Sequence, residues 1–180
     1  MTFTHDAQMS LRSTAALANS RLDEDTLTSV ADLDAFCETW QVSGRRDRTT
    51  AELATVRDLR PRLAALWQLE ESALVEEVNA LLREGEALPQ LVDHDGWGWH
   101  IHAHRADAPV AQRLAVEAAM AFVDVIRAGE LDRLSVCAAD DCEAVVVDLS
   151  RNRSRKFCES GCGNRLAAQA YRARHGSPTR

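Results

Sequence analysis

No stretch of this 180-residue chain approaches the roughly 20 consecutive apolar residues that a helix needs to cross a bilayer. The first twenty residues carry His5, Asp6 and Arg12 and lack the apolar core of a secretory signal. A soluble, cytoplasmic protein with no membrane partner is therefore expected. Catalytic signatures are missing as well. There is no GxSxG elbow, no phosphate-cradling glycine loop and no HExxH pair. Asp93 and Asp95 are close enough to be paired carboxylates, but beside Gly96 they read as turn residues. The chain is not expected to be an enzyme. Internal repeats and low-complexity segments are absent, and lysine nearly so: Lys156 is the only one among 21 basic residues. With 29 alanines, that bias is the codon usage of a high-GC genome, so the placement of arginines counts and their number does not.

At 46% hydrophobic and 27% charged residues, the composition is that of a folded globular protein. Its length suits one domain, or one domain with a small module. The formal net charge of −7 is unevenly spread. Residues 1–136 hold 13 basic and 23 acidic residues, whereas residues 150–180 hold 8 basic and 1 acidic. An acidic body with a basic end is the asymmetry of a chain that meets nucleic acid, although a solvated tail would show it too.

The body reads mainly helical. Ser13–Arg21 is one candidate helix, and Leu33, Phe36, Cys37 and Trp40 recur at helical spacing on a second. Cys37, alone on that apolar face, reads as core. Thr49 and Glu52 form a capping-box pattern ahead of Leu53, Val56 and Leu59. Pro61 is expected to kink or interrupt that helix, with Leu63, Leu66 and Trp67 continuing it. Leu74, Val78, Leu81 and Leu82 mark another helix, ended by Gly85. Asp107 and Pro109 open a long one through Val110, Leu114, Ala118, Ala121 and Val125 to Gly129.

Between Leu88 and His104 the period changes to two, predicting a hairpin turned at Asp95-Gly96. Trp97, Trp99, Ile101 and Ala103 would share one face; Gly98, His100, His102 and His104 would share the other. The histidines could share a metal if a further ligand such as His94 joined them. The expected reading is a solvent-facing polar strand opposite a tryptophan-rich core face. Any ligand-sensing role would fall near Trp97 and Trp99.

The chemistry concentrates at the end. Cys137 and Cys142 are separated by four residues, Cys158 and Cys162 by three, with fifteen between the pairs. Two close-spaced pairs let two turns each supply two thiolates, which is how a tetrahedral four-sulfur zinc site is assembled. Four thiolates leave no position for a catalytic water, so the zinc is expected to be structural, folding a segment too small for its own core. Val145–Val147 can form the returning strand, and a helix follows from Cys162 with no proline before Pro178. A knuckle, a hairpin and a helix whose first turn carries the last ligands make a treble-clef-like finger. The expected fold is mainly α with a small β-hairpin: a helical domain over 1–134, then the zinc finger over 135–180.

Cys162-Gly163-Asn164-Arg165 resembles the signature of the CGNR zinc finger family. The stretch before it fits as well, with Cys137-Ala138-Ala139-Asp140-Asp141-Cys142, Asp148-Leu149-Ser150-Arg151-Asn152 and Lys156-Phe157-Cys158. Two positions depart from the pattern: one residue fewer separates the last two cysteines, and Glu143 stands where glycine is common. Neither removes a ligand. The N-terminal part is similar to the helical stress-induced transcription regulator domain that precedes this finger, through Leu17-Ala18-Asn19-Ser20-Arg21, Ala31-Asp32-Leu33 and Trp40. The resemblance implies a DNA-binding transcriptional regulator.

The basic residues suit that role. Arg151, Arg153, Arg155 and Lys156 form a loop expected to hold phosphates. Arg165, Gln169 and Arg172 share a helix face expected to enter a major groove, where arginine reads guanine and glutamine reads adenine. Leu166, Ala170 and Ala173 would pack on the finger, with Asp140 and Asp141 on the far side. Four thiolates and one zinc ion add −2 and reduce the module's excess of positive charge to about +1. A finger this small would bind weakly alone, so specificity calls for a homodimer supplied by the acidic body. The competing expectation is a zinc-stabilised protein-interaction or redox-sensing module that binds no nucleic acid.

Overall fold

Phe3, Ala7, Leu11, Thr14, Ala15 and Ala18 recur at three and four residues and are all buried. They make α1 (His5–Asn19) start well before the expected Ser13. The computed structural model describes residues 3–93, 96 and 98–175; His94, Asp95, Trp97 and Pro178 lie outside them. After α1 come α2 (Val30–Thr39), α3 (Thr50–Ala65), α4 (Glu71–Glu84), a hairpin of β1 (Gln90–Asp93) and β2 (Trp99–His102), and α5 (Val110–Ala128). A 3-10 turn at Leu131–Arg133 leads to a second hairpin, β3 (Leu134–Val136) and β4 (Val145–Val147), and then α6 (Cys162–His175). Mainly α with small hairpins is thus the architecture, as expected.

The ends of these helices follow local chemistry. Ser29 and Asp32 close a full capping box on α2, which sequence reading passed over. Thr49 accepts from the Glu52 N–H, but the Glu52 carboxylate turns instead to the N–H groups of Asp47 and Arg48, so the expected box is half formed. Pro61 does not interrupt α3. Its missing N–H would have served the carbonyl of Arg57, and Arg60 Nε donates to that oxygen at 3.3 Å. The helix stops at Ala65, just before Leu66 and Trp67. Gly85 does end α4, but with φ −80° and not left-handed. Its lack of a side chain matters because a Cβ there would run into Val116 of α5. Gly129 does take the left-handed conformation, φ 65°, that ends α5.

One core joins α1, α3, α4 and α5 around Leu11, Val56, Leu63, Val78, Phe122 and Val125, with Cys37 buried at its margin. Trp67 meets Phe122 edge-on, ring centroids 4.9 Å apart.

The first hairpin pairs Leu91 with Ile101 and Val92 with His100. Its faces are the reverse of those expected, except that Ala103, just past β2, is buried as expected. Trp99 is 74% exposed, and Leu91 and Ile101 are exposed too, while His100 is buried against the helices. His102 and the His104 side chain, just past β2, turn inward with it. Period two assigns residues to faces without saying which face is inside. Here α5 offers Glu117 to His104, so the imidazoles find polar partners in the interior.

The second hairpin is built into the helical core and does not stand clear of it. Val145 and Val147 belong to that core, whereas Val146 packs with Cys137, Ala139, Ala144 and Cys162. Asn19, the last residue of α1, donates from Nδ2 to the Val145 carbonyl and accepts from the Val145 N–H, both at 2.8 Å. Trp67 Nε1 donates to the Val146 carbonyl at 3.0 Å. Replacing Asn19 with Ala leaves both backbone groups of Val145 unpaired. Urea unfolding should then show a loss of about 2 kcal/mol with an unchanged slope.

Candidate metal centre and basic face

Four sulfurs converge where β3, β4, the following loop and α6 meet. Cys137 and Cys142 sit on either side of the turn after β3, and Cys162 opens α6. Cys158 lies in the turn before the helix, so only the last ligand is in its first turn. One sulfur from each cysteine lies within 4.8 Å of every other. Cys142 Sγ and Cys158 Sγ are 3.8 Å apart, far beyond a disulfide bond. A tetrahedral ion with metal–sulfur bonds of about 2.3 Å separates its ligands by about 3.8 Å, so the cluster fits such an ion. It is a metal-binding site.

The four sulfurs sit in unequal surroundings, with hydrogen-bond donors aimed at two of them. The Cys158 N–H points at Cys137 Sγ, 3.4 Å away, and Arg165 Nη2 approaches Cys162 Sγ at 3.6 Å. Burial pushes the Cys142 thiol up to about 12. Cys158 is also partly buried, yet the Ser160 N–H and the other three thiols bring it down to about 7.

Arg165 reaches Asp141 with both Nη atoms, each contact 2.6 Å. That bidentate pair joins the first residues of α6 to the Cys137–Cys142 turn. Asp141 therefore does not lie on a far side, and its carboxyl is held below the usual range by the Arg165 hydrogen bonds. Arg153 is paired too, with Glu130 Oε1 at 2.8 Å and with Asp132, which fastens the loop to the turn after α5. Arg155 pairs with Glu159 in an exposed i,i+4 contact of 2.8 Å. Arg151, Lys156 and Arg172 are exposed and make no ion pair among the described residues. Gln169 is exposed on α6. Leu166 packs on the finger, but Ala170 and Ala173 do not, for every residue from 167 to 175 is exposed.

Asp148, named in the sequence only as part of the family motif and given no role there, organises the basic loop from the inside. Only 4% exposed, it accepts from the N–H of Ser150 at 2.8 Å and of Arg155 at 2.7 Å. Burial pushes its carboxyl up, but the Ser150 and Arg155 hydrogen bonds outweigh that and hold it below the usual range. Arg133 Nη1 grips the carbonyls of Asp148 and Ser150 at 2.9 and 3.1 Å. Asp148 follows directly on Val145–Val147, and a carboxylate placed immediately after an apolar strand was the available signal.

Residues 12–129 match ABATE, described as a putative stress-induced transcription regulator. The chain belongs to the ABATE family. Residues 133–175 match the CGNR zinc finger, which covers all four cysteines and the basic loop. No curated protein matches the chain. The expected boundary at residue 134 falls at the start of β3, whose hairpin partner β4 enters the ABATE core. No described helix is long and apolar enough to cross a membrane.

Removing the brace should loosen the metal. In Arg165→Ala, transfer of metal to a competing chelator should show about tenfold weaker affinity, with the helical body still folded. Because the Asp141 pKa is lowered on folding, the pair's contribution is complete above about pH 4 and disappears only as pH falls through that lowered value. The difference between wild type and Arg165→Ala should therefore be constant from pH 6 to pH 8.

Proposed function

We propose that this ABATE protein is a DNA-binding transcription regulator, not an enzyme, whose finger is held by a structural zinc ion. Zinc suits four thiolates at tetrahedral spacing, with no ligand position left for chemistry. The observation that carries the reading is α6: beyond Leu166 every residue to His175 is exposed, Gln169 and Arg172 among them. Arg151 and Lys156 stand on the loop that precedes it, unneutralised. A helix bearing a glutamine and an arginine suits a major groove, and the loop cations suit the flanking phosphates. Arg153 and Arg165 take positioning roles, because Glu130, Asp132 and Asp141 already neutralise them. Arg155, weakly paired, joins the phosphate contacts. So few reading side chains cover a short half-site, and specificity then requires two copies on one duplex.

Binding to a random-sequence duplex library across a salt series tests this. The zinc-loaded chain should bind with a steep salt dependence and enrich a motif. Arg151→Ala, Lys156→Ala and Arg172→Ala should each reduce the slope of log K against log salt by about 0.9, while Arg153→Ala should leave it unchanged. Chelation of the zinc should abolish binding. Absence of binding at low salt would end the nucleic-acid reading and leave the finger as a protein-docking module.

A further inference from the structure

The inverted hairpin brings a second set of ligand-type side chains together, inside the ABATE domain and away from the finger. His102 at the end of β2, His104 just beyond it and Glu117 on α5 each place a ligand atom within 4.8 Å of the others. They border a small cavity of about 70 Å³ together with His100 and Ser10. That is room for an ion and a few waters.

Hydrogen bonds orient the cluster as they orient metal-binding imidazoles. His104 Nδ1 lies 3.3 Å from the Arg105 carbonyl, which takes its N–H and leaves Nε2 as the bare nitrogen. That Nε2 is 3.0 Å from Glu117 Oε1. Yet Oε1, buried, receives no hydrogen bond from any described residue, so the contact is close but misaligned for a shared proton. In that tautomer two lone-pair atoms lie this close, and a cation, either a proton on His104 or a metal ion, relieves their repulsion. Glu117 Oε2 is steadied by the Ser10 hydroxyl at 3.3 Å. His100 is fixed in the same way, with Nδ1 on the Gly98 carbonyl at 2.8 Å and Nε2 3.2 Å from His102 Nε2.

We propose that His102, His104 and Glu117 form a second metal site, for a divalent first-row transition ion such as zinc, with His100 orienting His102. Two imidazoles and one carboxylate leave a coordination position open, unlike the closed four-sulfur site. Arg113 lines the same cavity, and its positive charge opposes a dication. Glu117 offsets that charge in part, and the open position accordingly favours an anionic fourth ligand such as hydroxide or a carboxylate. An ion there ties β2 to α5, so occupancy stabilises the domain as well as filling the site.

Cobalt(II) distinguishes this site from the finger, because only thiolate ligands give intense sulfur-to-cobalt charge-transfer absorption. The full-length chain, purified without a histidine tag and stripped of metal, should take up two equivalents. One should bring the thiolate bands, and the other should add only weak ligand-field bands. Glu117→Gln, which keeps the side chain's shape, and His102→Ala/His104→Ala should each reduce uptake to one equivalent with the thiolate bands intact. In wild type holding a zinc-loaded finger, added zinc should raise the melting temperature, and in Glu117→Gln it should not. The proposal is overturned if wild type saturates at the thiolate-bound equivalent alone, or if the second equivalent survives in Glu117→Gln with unchanged affinity. Loss of the thiolate bands with the second equivalent retained would count against the finger's zinc and leave this site standing.

Discussion

Val145, Val146 and Val147 serve two cores at once, and much of the molecule depends on that alternation. In a strand successive side chains point to opposite faces, so the outer two valines enter the helical core and the middle one the sulfur cluster. Three residues paired to three others have too few ladder bonds to hold themselves in water. Asn19 and Trp67 supply the missing backbone partners from α1 and from the turn after α3. Because β4 runs between the two cysteine pairs, the helical body sets where each pair can lie. The finger thus shares a strand with the helical body, which reduces the entropy that a metal alone must offset.

The loop after β4 is fixed on the same logic. Asp148 leaves the strand buried and ties the backbone of Ser150 and Arg155, while Arg133 holds the carbonyls of Asp148 and Ser150. Arg153 then reaches back to Glu130 in the acidic turn after α5. The basic segment is therefore a shaped loop with some cations anchored and others presented. Arg165 and Asp141 close the assembly across the sulfur cluster, so α6 leaves the body in a defined direction.

What could be read from the sequence follows from the range of the interactions. The two cysteine pairs, the strand between them and the left-handed Gly129 are local patterns, and each is where its spacing places it. The core face of α5 is equally local, set by helical periodicity. The features that escaped depend on partners distant in the chain. Which face of the first hairpin lies inside was decided by Glu117, beyond the hairpin's own residues. Pro61 was tolerated because one arginine side chain replaced one missing amide. The identity of Arg165's partner, 24 residues earlier, carries no periodic signal at all.

That last distinction changes how charge should be counted. A cation in a bidentate pair with a carboxylate adds little to the field met by an approaching polyanion, since each charge screens the other at close range. Counting every arginine after residue 150 therefore overstates what the finger offers. The unneutralised cations, Arg151, Lys156 and Arg172, sit on the loop and on the projecting part of α6, whereas the paired ones, Arg153 and Arg165, face the body and the sulfur cluster. Charge is thereby sorted by position: carboxylates of the body and knuckle neutralise the arginines that hold the finger together. The cations left unpaired lie on exposed residues, whereas Arg165 stands beside the Cys162 sulfur. A finger with so little net charge can attract a polyanion only if its remaining cations share one outward face.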